Sequence, residues 1–315
     1  MADTTSLGEA APSRAKVIAA FAAVYIIWGS TYLAIRFAIE TMPPFLMAAV
    51  RFLIAGALLY GWRRAVGVPR PNGREWRSAL VVGGLLLLGG NGGVVWAEQT
   101  VPSGIAALLV AIVPLWIVLL DWLRPGGVRP SGGVMVGVLI GFAGVALLIG
   151  PDALLGGGTA PVDPVGALVL MVASLSWAVG SLYSRAAPKP SAPFIATGMQ
   201  MLAGGVLLLV AGVLTGEPAR LDVESISAKS LLALLYLIIF GAIIGYSAYI
   251  WLLRTVPAAR AATYAYVNPV VAVLLGWALA DEPLNTRTLV GAAIIIGAVA
   301  LITTTRVRSR ARAAP

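Results

Sequence analysis

Two apolar stretches of the chain, "AALLVAIVPLWIVLLDW" at 106–122 and "AATYAYVNPVVAVLLGW" at 261–277, align without a gap at an offset of 155 residues. The alignment places Pro114 on Pro269, each within an otherwise apolar run. Proline removes one hydrogen bond from a helix and crowds the preceding turn. A helix breaker at the same position of two similar segments predicts a duplicated architecture in which both copies contain a broken helix.

The duplication extends along most of the chain. At an offset of 149 residues Trp28 falls on Trp177, and at 155 residues the "TVP" at 100–102 falls on the "TVP" at 255–257. We therefore divide the sequence into a first repeat at 16–150 and a second repeat at 164–305. The remaining segments, 1–15, 151–163 and 306–315, are interpreted as a disordered cytoplasmic tail, an extracytoplasmic linker and a basic cytoplasmic tail.

The composition of the 315 residues is that of a polytopic membrane protein. Hydrophobic residues make up 59% and charged residues only 11% of the chain, whereas a soluble domain carries about 25% charged residues. The sequence contains neither cysteine nor histidine. This excludes disulfides, thiol nucleophiles and histidine metal sites, and with them the zinc peptidases, so no cofactor is expected.

Each repeat contains five apolar stretches of about the 20 residues that a bilayer requires. The predicted spans are 16–37, 43–62, 77–97, 103–122, 132–150, 164–185, 193–215, 229–252, 258–280 and 287–305. Most lysines and arginines then fall on one side, and only Arg220, Lys229 and Arg287 lie in loops on the other. The positive-inside rule places both termini in the cytoplasm. This distribution also explains the net charge of +9 without nucleic acid as a partner.

The fold class expected is therefore an all-α polytopic membrane protein with ten transmembrane helices. Because five is odd, the second repeat enters the membrane from the opposite side, and the two repeats are inverted. Inverted repeats are common among secondary transporters.

Four stretches of this sequence resemble the EamA family of the drug/metabolite transporter superfamily, and within it the YedA-like inner-membrane permeases. They are "YIIWGSTYLAIRFAIETMPPFLMAAVRF" (25–52), "GGNGGVVWAEQTVPSGIAALLVAIVPL" (89–115), "SLSWAVGSLYSR" (174–185) and "TYAYVNPVVAVLLG" (263–276). The resemblance implies ten helices around a central cavity in a bacterial inner membrane. It also implies export of amino acids, metabolites or drugs without ATP.

Polar and aromatic residues inside the spans are candidates for the wall of that cavity. They are Trp28, Ser30, Tyr32, Arg51, Asn91, Trp177, Ser181, Tyr183, Gln200, Tyr246, Tyr264 and Asn268. Trp28 and Trp177 are equivalent by repeat and lie away from the interfaces where tryptophan usually sits. They predict an aromatic chamber suited to apolar or aromatic cargo, with ordinary helix packing as the alternative.

Arg51 is the clearest charged residue within a span, and its repeat equivalent is the polar Gln200. An arginine inside a membrane is a functional candidate by default, and its guanidinium suits a substrate carboxylate. The alternative is a structural role, as a fixed partner of Glu98 or Glu40 or of backbone carbonyls. Asn91, whose repeat equivalent is Tyr246, lies in "GGNGG", where the glycines favour close helix packing or local unwinding.

Pro114, Pro269 and Glu98 are candidates for helix breaks and gates. Glu98 closes the third span, and we expect it at shallow depth, which makes it a weak candidate for proton coupling. Since the middle of each predicted span contains no acidic residue, proton coupling and facilitated diffusion both stay open.

Three functions are compatible with these features. The first is secondary export of small metabolites, with aromatic or threonine-like amino acids as cargo and alternating access between the repeats. The alternatives are efflux of drugs and amphiphiles, and permeation or exchange of sugars or nucleotide sugars. An enzyme is not expected. The expected partners are a small-molecule substrate and the lipid bilayer, and the expected state is a monomer, with a dimer as the alternative.

Overall fold

The computed structural model describes residues 13–124, 127, 129–150, 162–261 and 263–313. Within these ranges the chain is helical and contains no β-strand. The predicted tail at 1–15 and linker at 151–163 lie largely outside the described residues, as do residues 314–315.

Ten helices follow one another in the described part of the chain. They are α1 (Arg14–Ala38), α2 (Pro44–Ala65), α3 (Gly73–Ala97), α4 (Ser103–Leu123), α5 (Gly132–Ile149), α6 (Pro164–Ala186), α7 (Pro193–Leu214), α8 (Ala228–Thr255), α9 (Tyr264–Ala280) and α10 (Thr286–Ala313). Nine of these described helices are long and apolar enough to span a membrane. The shorter α9 has 17 residues, which is about 26 Å of helix at 1.5 Å per residue.

Equivalent helices of the two repeats pack against each other through glycines. A β-carbon on Gly56 of α2 would lie 2.8 Å from the Leu202 amide of α7, and one on Gly198 would lie 2.8 Å from the Tyr60 amide. Likewise, a β-carbon on Gly137 of α5 would lie 2.7 Å from Ile302 of α10. Small residues allow such close backbone approach in membranes, where burial of apolar surface does not drive helices together.

Two equivalent π-helical segments interrupt α3 and α8. They span Gly83–Gly92 and Leu237–Tyr246 and have ten residues each. A π-helical turn widens the helix and commonly marks a functional site. The predicted local unwinding around Asn91 therefore takes the form of a π-helix, and the second repeat contains the same feature.

The two prolines behave differently, and the prediction that both break their helices is wrong for Pro269. Helix α4 is interrupted at Ala111 and Ile112, and its second half begins at Val113, with Pro114 in its first turn. Helix α9 runs through Pro269 without a break. Its interruption precedes Tyr264, since Ala258–Ala261 forms a separate turn. The predicted span 258–280 is therefore a turn followed by a shorter helix.

Asn268, next to the proline, links α9 to α1. With its amide nitrogen turned toward two carbonyls, Asn268 donates to Tyr264 at 3.2 Å within α9 and to Tyr25 at 3.0 Å in α1. The side chain thus ties α9 to α1 in the turn where Pro269 removes a backbone hydrogen bond.

Two buried carboxylates cap helices of the first repeat from loops of the second. Glu217 accepts hydrogen bonds from the amides of Phe45 at 3.1 Å and Leu46 at 2.8 Å, at the start of α2. Glu282 accepts from the amides of Ser103 at 2.7 Å and Gly104 at 2.9 Å, at the start of α4. A carboxylate at a helix N-terminus accepts hydrogen bonds from free amides and complements the helix dipole. These contacts therefore connect the two repeats.

Candidate substrate chamber

A chamber of about 60 Å³ lies between the two repeats. This volume holds a few water molecules. Its wall is formed by Trp28, Thr31, Tyr32, Ile35, Arg51, Phe52, Leu87, Gly90, Asn91, Val94, Val110, Ala173, Trp177, Gly241, Tyr246, Tyr264 and Asn268. Most of these side chains are apolar or aromatic, and Arg51 is the one that carries a full charge among these described wall residues.

The aromatic part of the wall is built around Trp28 and Trp177. Their ring centroids are 5.5 Å apart at an interplanar angle of 83°, the edge-to-face arrangement that aromatic pairs favour. Trp28 also packs edge-to-face on Tyr264, with centroids 5.4 Å apart. The equivalent tryptophans of the two repeats thus meet at the centre of the molecule.

Hydrogen bonds fix the orientation of both indoles. Trp28 Nε1 donates to the Gly241 carbonyl in the π-helical segment of α8 at 3.2 Å. Trp177 Nε1 donates to Tyr249 Oη at 3.1 Å, and Ser181 Oγ lies 2.7 Å from the same hydroxyl. Ser181 is therefore a buried support behind the wall. Tyr249, which sequence reasoning missed, lies one helical turn beyond Tyr246, and this spacing is the signal that could have revealed it.

Glycines in the π-helical segments make room for these rings. A β-carbon on Gly90 of α3 would lie 2.6 Å from Trp177 Cε3, and one on Gly245 of α8 would lie 2.6 Å from Trp28 Nε1. Neither distance is compatible with a side chain, so the glycines permit each tryptophan to pack onto the opposite repeat.

Arg51 lies at one end of the chamber with its charge largely uncompensated. Its side chain is 3% exposed, and its Nε and Nη1 atoms have no hydrogen-bond partner among the described residues. The guanidinium carbon lies 4.7 Å from the Phe52 ring centroid, a cation–π distance. A β-carbon on Gly241 would lie 2.8 Å from Arg51 Nη2, so this glycine leaves space for the guanidinium.

Glu98 follows the wall residue Val94 by one turn of α3 and is enclosed by protein. It is 1% exposed, and neither carboxylate oxygen has a hydrogen-bond partner in the part of the chain described. Arg51 contacts neither of its two suggested partners, Glu98 and Glu40. Glu40 instead pairs with Lys229 at 2.6 Å. The structural alternative of a fixed pair between Arg51 and either acid is therefore not formed.

The other candidate polar residues take different positions. Asn91 and Tyr246 line the chamber, whereas Gln200 lies behind Tyr246 and accepts its hydroxyl hydrogen bond at 3.1 Å. Ser30 bonds Tyr236 at 2.6 Å and faces an apolar groove between α1, α8 and α9 rather than the chamber. Tyr183 is 39% exposed at the outside of α6. Ser30 and Tyr183 are thus not part of the chamber wall.

The end of the molecule that carries most basic residues joins α6 to α8 through backbone carbonyls. Arg185 donates to the Val256 carbonyl at 3.1 Å, and Lys189 Nζ donates to the Ser184 carbonyl at 2.8 Å. Partial burial, followed by the nearby charges of Arg254 and Arg185, lowers the pKa of Lys189.

No cluster of potential metal ligands occurs in the described ranges. The groups that line the chamber are suited to holding a small molecule through ring faces and one guanidinium. Aromatic faces and one buried cation line a small space between the two packed repeats. One buried acid, Glu98, follows the wall residue Val94 by one turn of α3.

Comparison with known proteins identifies the group to which this architecture belongs. The chain is 43% identical over 282 residues to the uncharacterized inner membrane transporter YedA of Escherichia coli K12, covering 89% of this chain and 88% of that protein. It is 27% identical to a WAT1-related chloroplastic protein of Arabidopsis thaliana, over 88% of this chain and 67% of that protein.

A solved crystal structure shares the fold, with a TM-score of 0.65 at 24% identity, covering 94% of this chain and 99% of that one. The model of the EamA-like transporter family matches twice, at residues 15–150 and 164–304. Two matches in tandem account for both halves of the chamber, and the chain therefore belongs to the EamA-like transporter family.

Proposed function

We propose that this protein is a secondary exporter of small metabolites in a bacterial inner membrane, with amino acids as its cargo. The observation that carries the proposal is the combination of an aromatic cage around Trp28 and Trp177 with the unpaired guanidinium of Arg51. The guanidinium offers a bidentate site for a carboxylate, and the rings offer a surface for an apolar or aromatic side chain.

Transport proceeds by alternating access in this proposal. The equivalent helices α2 and α7, and likewise α5 and α10, pack face to face through glycines. Rocking of one repeat against the other opens the chamber to either side in turn. The basic end of the molecule faces the cytoplasm, both termini are cytoplasmic, and a monomer holds the whole chamber. The inner-membrane relative YedA supports this location.

The test is efflux from proteoliposomes that contain the purified protein. Vesicles are loaded with radiolabelled L-phenylalanine or L-threonine, and saturable efflux is expected. Loss of a charge-assisted hydrogen bond costs about 1.5–3 kcal/mol, so Arg51→Ala should lower the apparent affinity about 10- to 100-fold. Arg70→Ala, which removes an exposed arginine from the loop after α2, should have no effect.

A second candidate cargo is an amphiphilic drug, which the predominantly apolar wall would accept without a carboxylate. Drug efflux that is insensitive to Arg51→Ala, with no amino-acid flux, would favour this alternative over the proposal. Nucleotide sugars fit less well, because Arg51 alone among the described wall residues would have to balance a multiply charged cargo.

A further inference from the structure

Two buried ionisable side chains of opposite type, Arg51 in the chamber wall and Glu98 one helical turn from it, do not contact each other. Arg51 lines the wall, and Glu98 follows the wall residue Val94 by one turn of α3, with its amide bonded to the Val94 carbonyl at 3.0 Å. Helix α2, which holds Arg51, packs against Gly93–Ala97, the last turn of α3, and Glu98 directly follows that turn. Neither the hydrogen bonds nor the ion pairs of the described residues join them.

An ionised carboxylate in this position would be strongly disfavoured. Burying a charge without hydrogen bonds costs far more free energy than burying the neutral form, and such groups become neutral unless an opposite charge pairs with them. Glu98 has no such pair within the described residues. A carboxyl group that keeps its proton is neutral and avoids this cost.

The surroundings of Glu98 supply no competing partner. Arg36 of α1 lies 3.7 Å from Glu282, which also accepts the Ser103 and Gly104 amides. Tyr32 of α1 is near and uncharged. Helix α6 contacts the adjoining turn of α3 with Val169 and Ala173, which do not titrate. Glu282, Arg36 and Arg51 all act on Glu98 electrostatically. Arg36 and Glu282 are paired with each other, and of the two cations only Arg51 lines the chamber.

We propose that Glu98 carries a proton in the empty transporter and releases it when the ammonium group of an amino acid binds there while the carboxylate binds Arg51. This inference rests on the proposed function, because it takes the cargo to be a zwitterion. An amino acid carries both charges on one carbon, and a cation and an acid that are near but unpaired match this head group.

The exchange is balanced in charge and in protons. The O–H bond of Glu98 breaks, the proton passes to water on the side to which the chamber is open, and the ammonium keeps all three of its hydrogens. Glu98 and Arg51 then each face an opposite charge of the cargo. When the cargo leaves, Glu98 takes up a proton from the other side. One proton therefore moves inward for each amino acid exported, and the proton gradient drives export.

Two measurements on the full chain test the proposal. In the first, binding of L-phenylalanine is followed by the fluorescence of the chamber tryptophans across a pH series. Because binding releases one proton, the affinity should rise about tenfold per pH unit while the free protein stays protonated. Glu98→Gln should bind with an affinity independent of pH, and Glu98→Asp should restore the dependence. Glu40→Gln, in an exposed ion pair, is the matched control.

The second measurement uses the wild-type protein alone, so it does not depend on the folding of a variant. The infrared spectrum of the ligand-free wild-type protein should contain the carbonyl stretch of a buried carboxylic acid, and L-phenylalanine should abolish it. Absence of this band, or a wild-type affinity that is flat or falls as the pH rises, would overturn the proposal. A band that is present, but no binding of L-phenylalanine or L-threonine, would refute the amino-acid cargo and support the proton site.

Discussion

Replacing Gly90 by alanine should displace Trp177 and weaken both the chamber and the fold. The new β-carbon would lie 2.6 Å from Trp177 Cε3, whereas carbon atoms pack at about 3.5–4.0 Å. The indole must therefore move by about 1 Å, and the rings of Trp28 and Tyr249, with centroids 5.5 and 5.6 Å away, hold it in place. Overpacking of this kind costs about 1–3 kcal/mol.

A matched variant separates this clash from the general effect of alanine on a helix. Gly84 lies in the same π-helical segment, and its β-carbon would lie 3.4 Å from Leu207 Cδ1, at the edge of ordinary contact. Both substitutions gain about 1 kcal/mol of helix propensity, so Gly90→Ala should be less stable than Gly84→Ala by about 1–3 kcal/mol.

The assay is unfolding of the purified variants in detergent, combined with tryptophan emission and L-phenylalanine efflux. Gly90→Ala should unfold at a lower temperature, shift the emission and slow efflux, and Gly84→Ala should match the wild type in emission and efflux. Equal stability of the two variants, with unchanged emission, would refute the packing of Trp177 against α3.

Two further predictions concern carboxylates outside the chamber. Glu282→Gln should weaken the capping of α4 and release Arg36, which should lower the free energy of unfolding by about 1–2 kcal/mol. The control Glu40→Gln should lower it by less than about 1 kcal/mol, because its ion pair is exposed. Equal losses of stability in the two variants would contradict the capping. For Asp163, the hydrogen bond from Thr100 lowers the carboxyl pKa, and amide hydrogen bonds act in the same direction against partial desolvation. A lowered folded pKa stabilises the protein at pH values above the ordinary aspartate pKa of about 3.9, and this stabilisation is lost as the pH falls through the folded value. The free energy of unfolding of Asp163→Asn, measured across acid pH, should therefore lack this contribution. Identical pH profiles of stability for the variant and the wild type would refute the stabilising role of Asp163.

The sequence predicted the features that depend on local pattern and on repetition. Hydropathy located ten apolar segments because each must be long enough to cross the same bilayer. The offset that places Trp28 on Trp177 predicted two equivalent tryptophans, and the structure brings these rings into contact. The glycines around Asn91 indicated unwinding or close packing, and the segment is a π-helix.

The sequence was a poorer guide to which face of each helix points inward. In a soluble protein the polar face identifies the outside, but in a membrane both the lipid and the protein interior are apolar, so hydropathy does not distinguish them. Ser30 and Tyr183 were assigned to the cavity on residue type alone, and helix rotation turns both away from it. Pro269 was expected to break α9, yet the interruption lies before Tyr264.

By itself, the sequence determined the class of protein, the number of apolar segments and the duplication, since these follow from composition, length and repetition along the chain. Tertiary structure alone decided the environment of Glu98. It is 1% exposed, and the charged groups that act on it come from α1, from α2 and from the loop that holds Glu282, all distant in sequence. An acid at the end of a predicted span looks solvent-exposed in the linear chain. Its enclosure, without a hydrogen-bond partner among the described residues, makes it a candidate for proton exchange.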